Sequence, residues 1–513
     1  MLHDLRSLST KLFAFSETTL QKLNSPQSKA KNPERIPDFT ISVYTSVIQC
    51  YNMIMDLEKR ARRQSLRIII SEAVMVIAVI AMVTALAFIV SGYWINADFE
   101  VERQGMLQVY SVPTGATVSV DGEAPWYQRT NTSKILSGGE HVIEITKEGY
   151  DSWSKTISIS EGLLYRLNYP YLFPQKRTKE SVYDTTTTTF ATVSPDRKLL
   201  LLANNTTSWK LVNLDSDTIK ATPIDISAAL TNGTATGTTL FAGKIILAEW
   251  DSANSHVLLK IDNDTKKEWL LLDIRNPAKS INLTREYAAD FTDMKIFDDS
   301  ATNLLAMRNG NLHKINVEAH QISAVLAEQV LSYDTYDSEI IYVSGESILV
   351  LKPGSESTIL TEIEVGSHPK ILTTKFYDNR YLFTIDENIV TVYLKEDFKK
   401  IESFTINFSP TTAKIGYGGE FVIMNNGTNF ATLDMESMQL CEWEINSPHF
   451  GWLNNYMMYS VLDGALGVYD FDGLNHRALS TNVSDRFPVT ITNNKWLYYF
   501  SDDQLVREWL IDQ

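Results

Sequence analysis

Val193-Ser194-Pro195-Asp196-Arg197-Lys198-Leu199-Leu200-Leu201-Leu202 compresses a strand end, a tight turn and a strongly apolar strand into one run. Proline presets the turn backbone and aspartate bonds back onto nearby main-chain amides, so the turn is specified by chemistry rather than by polarity alone. The same grammar returns along the chain. Apolar strands recur at Glu339-Ile340-Ile341-Tyr342-Val343, Tyr381-Leu382-Phe383-Thr384-Ile385, Phe421-Val422-Ile423-Met424 and Trp496-Leu497-Tyr498-Tyr499-Phe500. Units begin near Thr188, Leu240, Thr292, Val330, Pro369, Thr411, His449 and Arg486, with spacings of 52, 52, 38, 39, 42, 38 and 37. Each contains a strand of small residues, an Asp/Asn/Gly loop, the apolar strand, a tight turn, a third strand and a weaker outer one. Four antiparallel strands repeated every forty residues or so make β-propeller blades, because radial repetition protects the sheet edges. The spacing predicts eight blades over residues 180-513, or seven if the irregular stretch 226-245 hides a misparsed unit. The last unit shows only three strands before Leu510, and Glu180 to Asp184 is expected to supply the fourth and close the ring.

Upstream of this domain the charge divides. The chain of 513 residues has a net charge of -16. Residues 1-67 hold 11 Lys+Arg against 6 Asp+Glu, a net of +5, which leaves -21 for the remainder. A balance this acidic argues against a protein that grips nucleic-acid phosphates. The two cysteines, Cys50 and Cys441, are too few for a disulfide framework or a four-cysteine zinc site.

The boundary coincides with an apolar run. From Ala73 to Val90 there is no charged residue and Thr84 is the only polar one, within a segment, 68-95, long enough to span a bilayer once. Lys59, Arg60, Arg62, Arg63 and Arg67 precede it, and Asp98 and Glu100 follow. The positive-inside bias therefore predicts a cell-membrane protein with residues 1-67 cytoplasmic and everything beyond the span extracytoplasmic. Tyr93 and Trp94 stand where an outer-interface aromatic anchor is expected. In the cytoplasmic segment, Leu2, Leu5, Leu8, Leu12, Phe15 and Leu23 suggest one amphipathic helix, and Val43, Val47, Tyr51, Ile54 and Leu57 a second. Residues 1-58 are thus expected to associate with each other, with a second copy or with a cytoplasmic partner.

Between a linker at 96-105 and a second at 173-179, residues 106-172 alternate apolar and polar in short runs divided by Gly115, Asp121-Gly122, Gly138-Gly139 and Gly149-Tyr150. This reads as a small all-β sandwich. The stretch Val112-Pro113-Thr114-Gly115-Ala116-Thr117-Val118-Ser119-Val120-Asp121-Gly122, then Leu136-Ser137-Gly138-Gly139-Glu140-His141, then Lys147-Glu148-Gly149-Tyr150, resembles the PEGA domain. The resemblance implies a spacer or adhesion module of envelope proteins without catalytic residues. Glu123-Ala124-Pro125-Trp126 departs from the family's usual loop after the Asp-Gly turn. Trp126 and Trp153 read as core residues, with an exposed contact surface as the alternative. In the propeller, Val193 to Leu199 resembles the strand-turn-strand of TolB-like and WD-type propellers.

The sequence presents no catalytic constellation. Its eight histidines stand singly, and no P-loop, dinucleotide fingerprint or nucleophile elbow is present. Cys441, within Gln439-Leu440-Cys441-Glu442-Trp443, reads as a packed thiol. Asp470-Phe471-Asp472-Gly473-Leu474-Asn475 and Asp262-Asn263-Asp264-Thr265 carry oxygen ligands on tight loops but lack the full calcium-site pattern, so they read as ordinary turns. No catalytic, metal or cofactor residue is expected. The leading expectation is a membrane-anchored envelope binding or scaffold protein whose propeller takes a protein or glycan on a PEGA-like stalk. The alternatives are an enzyme of glycan hydrolase or lyase type on an envelope polymer, and a transmembrane sensor.

Overall fold

The computed structural model describes residues 11, 14, 38–90, 93–95, 101–124, 128–205, 208–227, 229, 243–263, 266–298, 300–364, 367–416, 418–445, 447 and 449–510. The first amphipathic segment, Trp126 and most of 226–245 lie outside them. Two compact units are formed, Met1–Arg103 and Gln104–Gln513.

In the first unit, the expected second helix and the apolar span are one helix of 53 residues, Asp38–Val90. Pro37 precedes it, Ser91-Gly92 follow it, and neither proline nor glycine interrupts it, so nothing in the sequence breaks the hydrogen-bond ladder. Ile69–Phe88 is long and apolar enough to cross a membrane and is fully exposed. Thr84 satisfies its hydroxyl by donating to the Ile80 carbonyl at 2.8 Å, the local bond that lets a polar side chain sit in an apolar helix. Tyr93–Ile95 then pairs antiparallel with Val101–Arg103. The strand that begins at Val101 continues to Val109, so part of the stretch read as a linker is strand.

The second unit contains the sandwich and the propeller. Val101–Val109 pairs antiparallel with Thr132–Ser137 and parallel with Leu164–Leu167. Facing this sheet is a second one, Thr117–Val120, Gly139–Thr146 and Trp153–Ile159. Leu107, Val109, Val118, Ile143, Ile145 and Trp153 fill the space between them and are fully buried. Asp121 and Gly122 take φ of 54° and 84°, the left-handed turn that the Asp-Gly pair favours. The Asp121 carboxylate accepts from the Val142 amide at 2.9 Å and meets His141 Nδ1 at 2.7 Å. That bond lowers the Asp121 pKa and raises that of His141.

Beyond the sandwich, the described residues form eight four-stranded antiparallel sheets. With strands lettered A to D in chain order, the A strands begin at Thr188, Lys244, Asp293, Val330, Lys370, Thr412, His449 and Thr490. Three of these coincide with the unit starts read from sequence and the others lie within four residues of them. B strands are largely buried, as their apolar runs require: Phe421–Asn425 is buried throughout. D strands such as Lys399–Thr405 are largely exposed, which places them at the rim. The D strand of blade 8 is Lys179–Asp184, paired antiparallel with Gln504–Trp509 as expected. The ring closes at the seam of blades 8 and 1, where Phe487, Trp496, Tyr498 and Phe500 pack with Leu200, Leu202 and Val212.

Two substitutions report on that seam. Tyr498 is buried and donates to the Leu214 carbonyl of blade 1 at 2.7 Å. Tyr498→Phe is expected to cost about 1–2 kcal/mol by orphaning that carbonyl. Trp496→Ala is expected to cost about 3–5 kcal/mol by opening a cavity. Equilibrium denaturation of the full chain in detergent measures both.

Candidate functional site

A propeller offers two faces. One carries the A–B and C–D loops, the other the B–C and D–A loops. Here the sandwich is docked on the first. Trp153, at the start of a sandwich strand, is buried and donates its indole N–H to Asp470 Oδ2 at 2.7 Å. Asn475 Nδ2 donates to the same oxygen at 2.8 Å, and Ser154 N donates to Asn475 Oδ1 at 3.2 Å. Lys155 Nζ lies 2.5 Å from Asp472 Oδ2, with both side chains nearly buried. Arg477 Nη2 donates to the Ser152 carbonyl at 2.5 Å. The segment Asp470 to Asn475, read from sequence as an ordinary acidic turn, is thus the C–D loop of blade 7 that grips the sandwich.

Aromatic packing extends the contact. The Phe471 ring stands edge-on to Tyr169, with centroids 5.0 Å apart, and stacks on Phe421 at 4.2 Å. Lys155 Nζ lies 4.6 Å from the Phe471 ring centroid, adding a cation–π contact to its ion pair. Farther along, Arg166 donates to the Tyr377 hydroxyl at 2.6 Å and pairs with Glu436 at 3.3 Å. Tyr171 donates to the Asn494 carbonyl at 3.1 Å, reaching blade 8. Tyr171 and Phe173 are buried between blades 7 and 8, so the stretch read as a second linker begins inside the core.

Burial sets the chemistry of this junction. It pushes the Asp470 carboxyl up to about 7, and the neighbouring Asp472 carboxylate adds to the effect. For Lys155 burial opposes the charge, but Asp472 more than offsets it and the ammonium pKa rises. Burial also raises the Cys441 thiol to about 11, so it is protonated at neutral pH and a poor nucleophile.

Side chains around the axis also link neighbouring blades. Lys295 of blade 3 pairs with Asp334 of blade 4 at 2.9 Å, and Asp334 accepts from the Thr373 amide of blade 5 at 2.7 Å. Glu249 of blade 2 is raised to about 7 by burial and accepts from the Ile296 amide at 3.4 Å. These groups bond one inner strand to the next. A cleft of about 370 Å³ at the rim of blades 7 and 8 is lined by Arg177, Lys179 and Glu508. Arg177 is already committed there to Glu508 and to the Pro174 and Leu479 carbonyls. Among the described residues no group of three His, Cys, Asp or Glu side chains is arranged to hold a metal ion.

The opposite face carries tight acidic turns. The B–C turns of blades 3, 4, 5, 7 and 8 are two-residue hairpins, Asn309-Gly310, Gly345-Glu346, Glu387-Asn388, Asp463-Gly464 and Asp502-Asp503. Positive φ at Asn309, Gly310, Gly345, Glu387, Asp463, Gly464, Asp502 and Asp503 is the backbone such tight hairpins need. The five carboxylates at these tips, with no lysine or arginine between them, make this ring of turns acidic.

Residues 104–171 match the PEGA domain, so the chain carries a PEGA domain followed by a propeller. No curated protein matches the chain. Among solved structures, the C-terminal WD40 domain of Sif2 is 12% identical with a TM-score of 0.44, covering 65% of this chain and 99% of that one. Hsv2 of Kluyvelomyces marxianus is 10% identical with a TM-score of 0.37, covering 55% and 92%. PorZ of Porphyromonas gingivalis, a surface component of the type-IX secretion system, is 12% identical with a TM-score of 0.39, covering 63% of this chain and 42% of PorZ.

Two tests address the junction. Lys155→Met strands the Asp472 carboxylate and is expected to cost about 3–5 kcal/mol, most of it recovered in the Lys155→Met/Asp472→Leu double variant. Asp470 titrates near 3.8 when unfolded and about 7 when folded, so its stabilising contribution is complete below the lower value and is lost as pH rises through the higher. Asp470→Asn keeps an acceptor for Trp153 and is expected to flatten the fall in melting temperature between about pH 4 and about pH 7.

Proposed function

We propose that this protein is a single-pass, membrane-anchored binding scaffold of the cell envelope, and that its propeller engages a protein or glycan through the face that bears the B–C and D–A loops. The observation that carries this reading is the docking of the PEGA domain on the other face. Trp153, Lys155, Arg166 and Tyr171 occupy the loops of blades 5 to 8 there, which leaves the B–C mouth for a ligand. Contacts supplied by many short loops suit binding better than chemistry at one point. The buried acids Asp470 and Asp472 lie beneath the PEGA domain and already serve Trp153 and Lys155, so neither supports a role on substrate. The lysines and arginines before the apolar helix support an orientation with residues 1-67 in the cytoplasm and the propeller outside. The acidic tips favour partners with a basic surface.

Charge alteration at the tips tests the reading. Glu346→Lys and Glu387→Lys, combined with Asp463→Asn and Asp502→Asn, change the charge of the face, with asparagine suiting the positive φ at 463 and 502 and lysine no worse than glutamate at 387. Cross-linking in intact cells is expected to lose the partner captured by the unaltered chain, with the melting temperature unchanged. Tyr377→Phe on the capped face is expected to leave capture intact. Undiminished capture by the tip variant overturns the assignment of the face.

A further inference from the structure

The PEGA domain has a second end, remote from the propeller. Its strands run from the docked residues, Trp153 and Arg166, to an opposite tip where Ile159, Leu164 and Gln104 lie. On the outer surface of that tip three side chains stand in register across three strands: Ile135 opposite Met106, and Met106 opposite Leu164. They are 48%, 43% and 40% exposed, and Leu163 beside them is 63% exposed. The tip is built, not frayed. Gly162 N donates to the Gln104 carbonyl at 3.0 Å and Met106 N to the Leu163 carbonyl at 2.9 Å, which fixes Leu163 beside the entering strand. The next row of the same face, Ser133, Gln108 and Arg166, is polar, so the apolar patch is confined to the tip.

The covalent chain says what covers it. The apolar span ends at Phe88. The hairpin register then brings Arg103 back opposite Tyr93, so the excursion between those two residues adds almost nothing to the reach of the chain. Met106 follows Arg103 by three residues in the same strand. At no more than about 3.4 Å per residue, the five steps from 88 to 93 and the three from 103 to 106 tether the tip to within roughly 30 Å of the end of the span. Four exposed apolar side chains on so short a leash meet the lipid interface at high local concentration. We infer that the Met106, Ile135, Leu163 and Leu164 tip is a membrane-contact surface that seats the PEGA domain on the bilayer. Because the propeller is clamped to the other end of the same sandwich, this contact aims the B–C face away from the membrane.

The inference rests on the membrane anchoring proposed above, and the experiment separates the two. The full chain, with Cys50→Ala and Cys441→Ala, is reconstituted in phosphatidylcholine vesicles and labelled with an environment-sensitive fluorophore at one introduced cysteine. Leu163→Cys and Met106→Cys probe the tip, Met82→Cys probes the span, and Val142→Cys, equally exposed on the other sheet at 48%, is the aqueous control. Doxyl-labelled phosphatidylcholine is expected to lower emission at 163, 106 and 82 by about twofold, the loss expected of a label in the lipid interface, and to leave 142 unchanged. If 82 is quenched while 163 and 106 behave like 142, the anchor stands and the contact surface is wrong. Tip labels shielded from aqueous iodide yet insensitive to the lipid quencher mean that a protein covers the patch, which also overturns it. An unquenched label at 82 removes the anchor and this inference with it.

Discussion

The architecture depends on one strand pairing, Lys179–Asp184 against Gln504–Trp509. Eight twisted sheets packed in a ring leave one open seam, and an unpaired edge there would be both unstable and prone to association. Here the outer strand of the last blade comes from the front of the domain, so the two ends hold one another. Arg507 pairs with Glu180 across the pairing, and Arg177, two residues before the strand, bonds Glu508 at 3.1 Å. Closure also constrains the PEGA domain. Only 11 residues separate its last strand, Leu164–Leu167, from the closing strand at Lys179, and Tyr171 and Phe173 are buried on the way. A module leashed that tightly to blade 8 can reach blades 5 to 8 but has no length with which to swing as a free stalk.

The junction then converts proximity into a fixed orientation. An apolar contact alone would tolerate sliding. The indole of Trp153 on Asp470 and the ammonium of Lys155 on Asp472 do not, because each leaves a buried polar group unpaired if the partner shifts by an ångström or two. The surrounding rings of Tyr169, Phe471 and Phe421 exclude water and make those bonds expensive to break. The acidic loop therefore acts as a socket.

How much of this was legible in the sequence follows from the range of each interaction. Blade starts at Thr188, Val330 and His449 could be read because a blade is a local object, with its four strands consecutive and its hairpins marked by Asp, Asn and Gly. The PEGA fold was legible for the same reason: the Asp121 and His141 of its motif are only 20 residues apart and bond to each other. The socket was not legible. Trp153 and Asp470 are 317 residues apart, and no periodicity connects a sandwich strand to a blade loop. Asp470 to Asn475 has the composition of any polar turn, and its one unusual feature, a phenylalanine between two aspartates, acquires meaning only once Tyr169 lies against it. The helix was underestimated for a different reason. Its amphipathic half and its apolar half have different patterns, which suggests two elements, although backbone propensity offers no break between them.

The acidic residues of the propeller consequently play two different parts. Beneath the PEGA domain, Asp470 and Asp472 are buried and bonded to Trp153 and Lys155, and burial raises the Asp470 carboxyl. On the other face the hairpin tips Glu346, Glu387, Asp463, Asp502 and Asp503 are exposed. The overall acidity of the chain is therefore not spread evenly over a soluble surface. Two acids are buried in the junction at one mouth, and five stand on hairpin tips at the other. An asymmetry of that kind is what a scaffold needs if it is to be held at one end and recognised at the other.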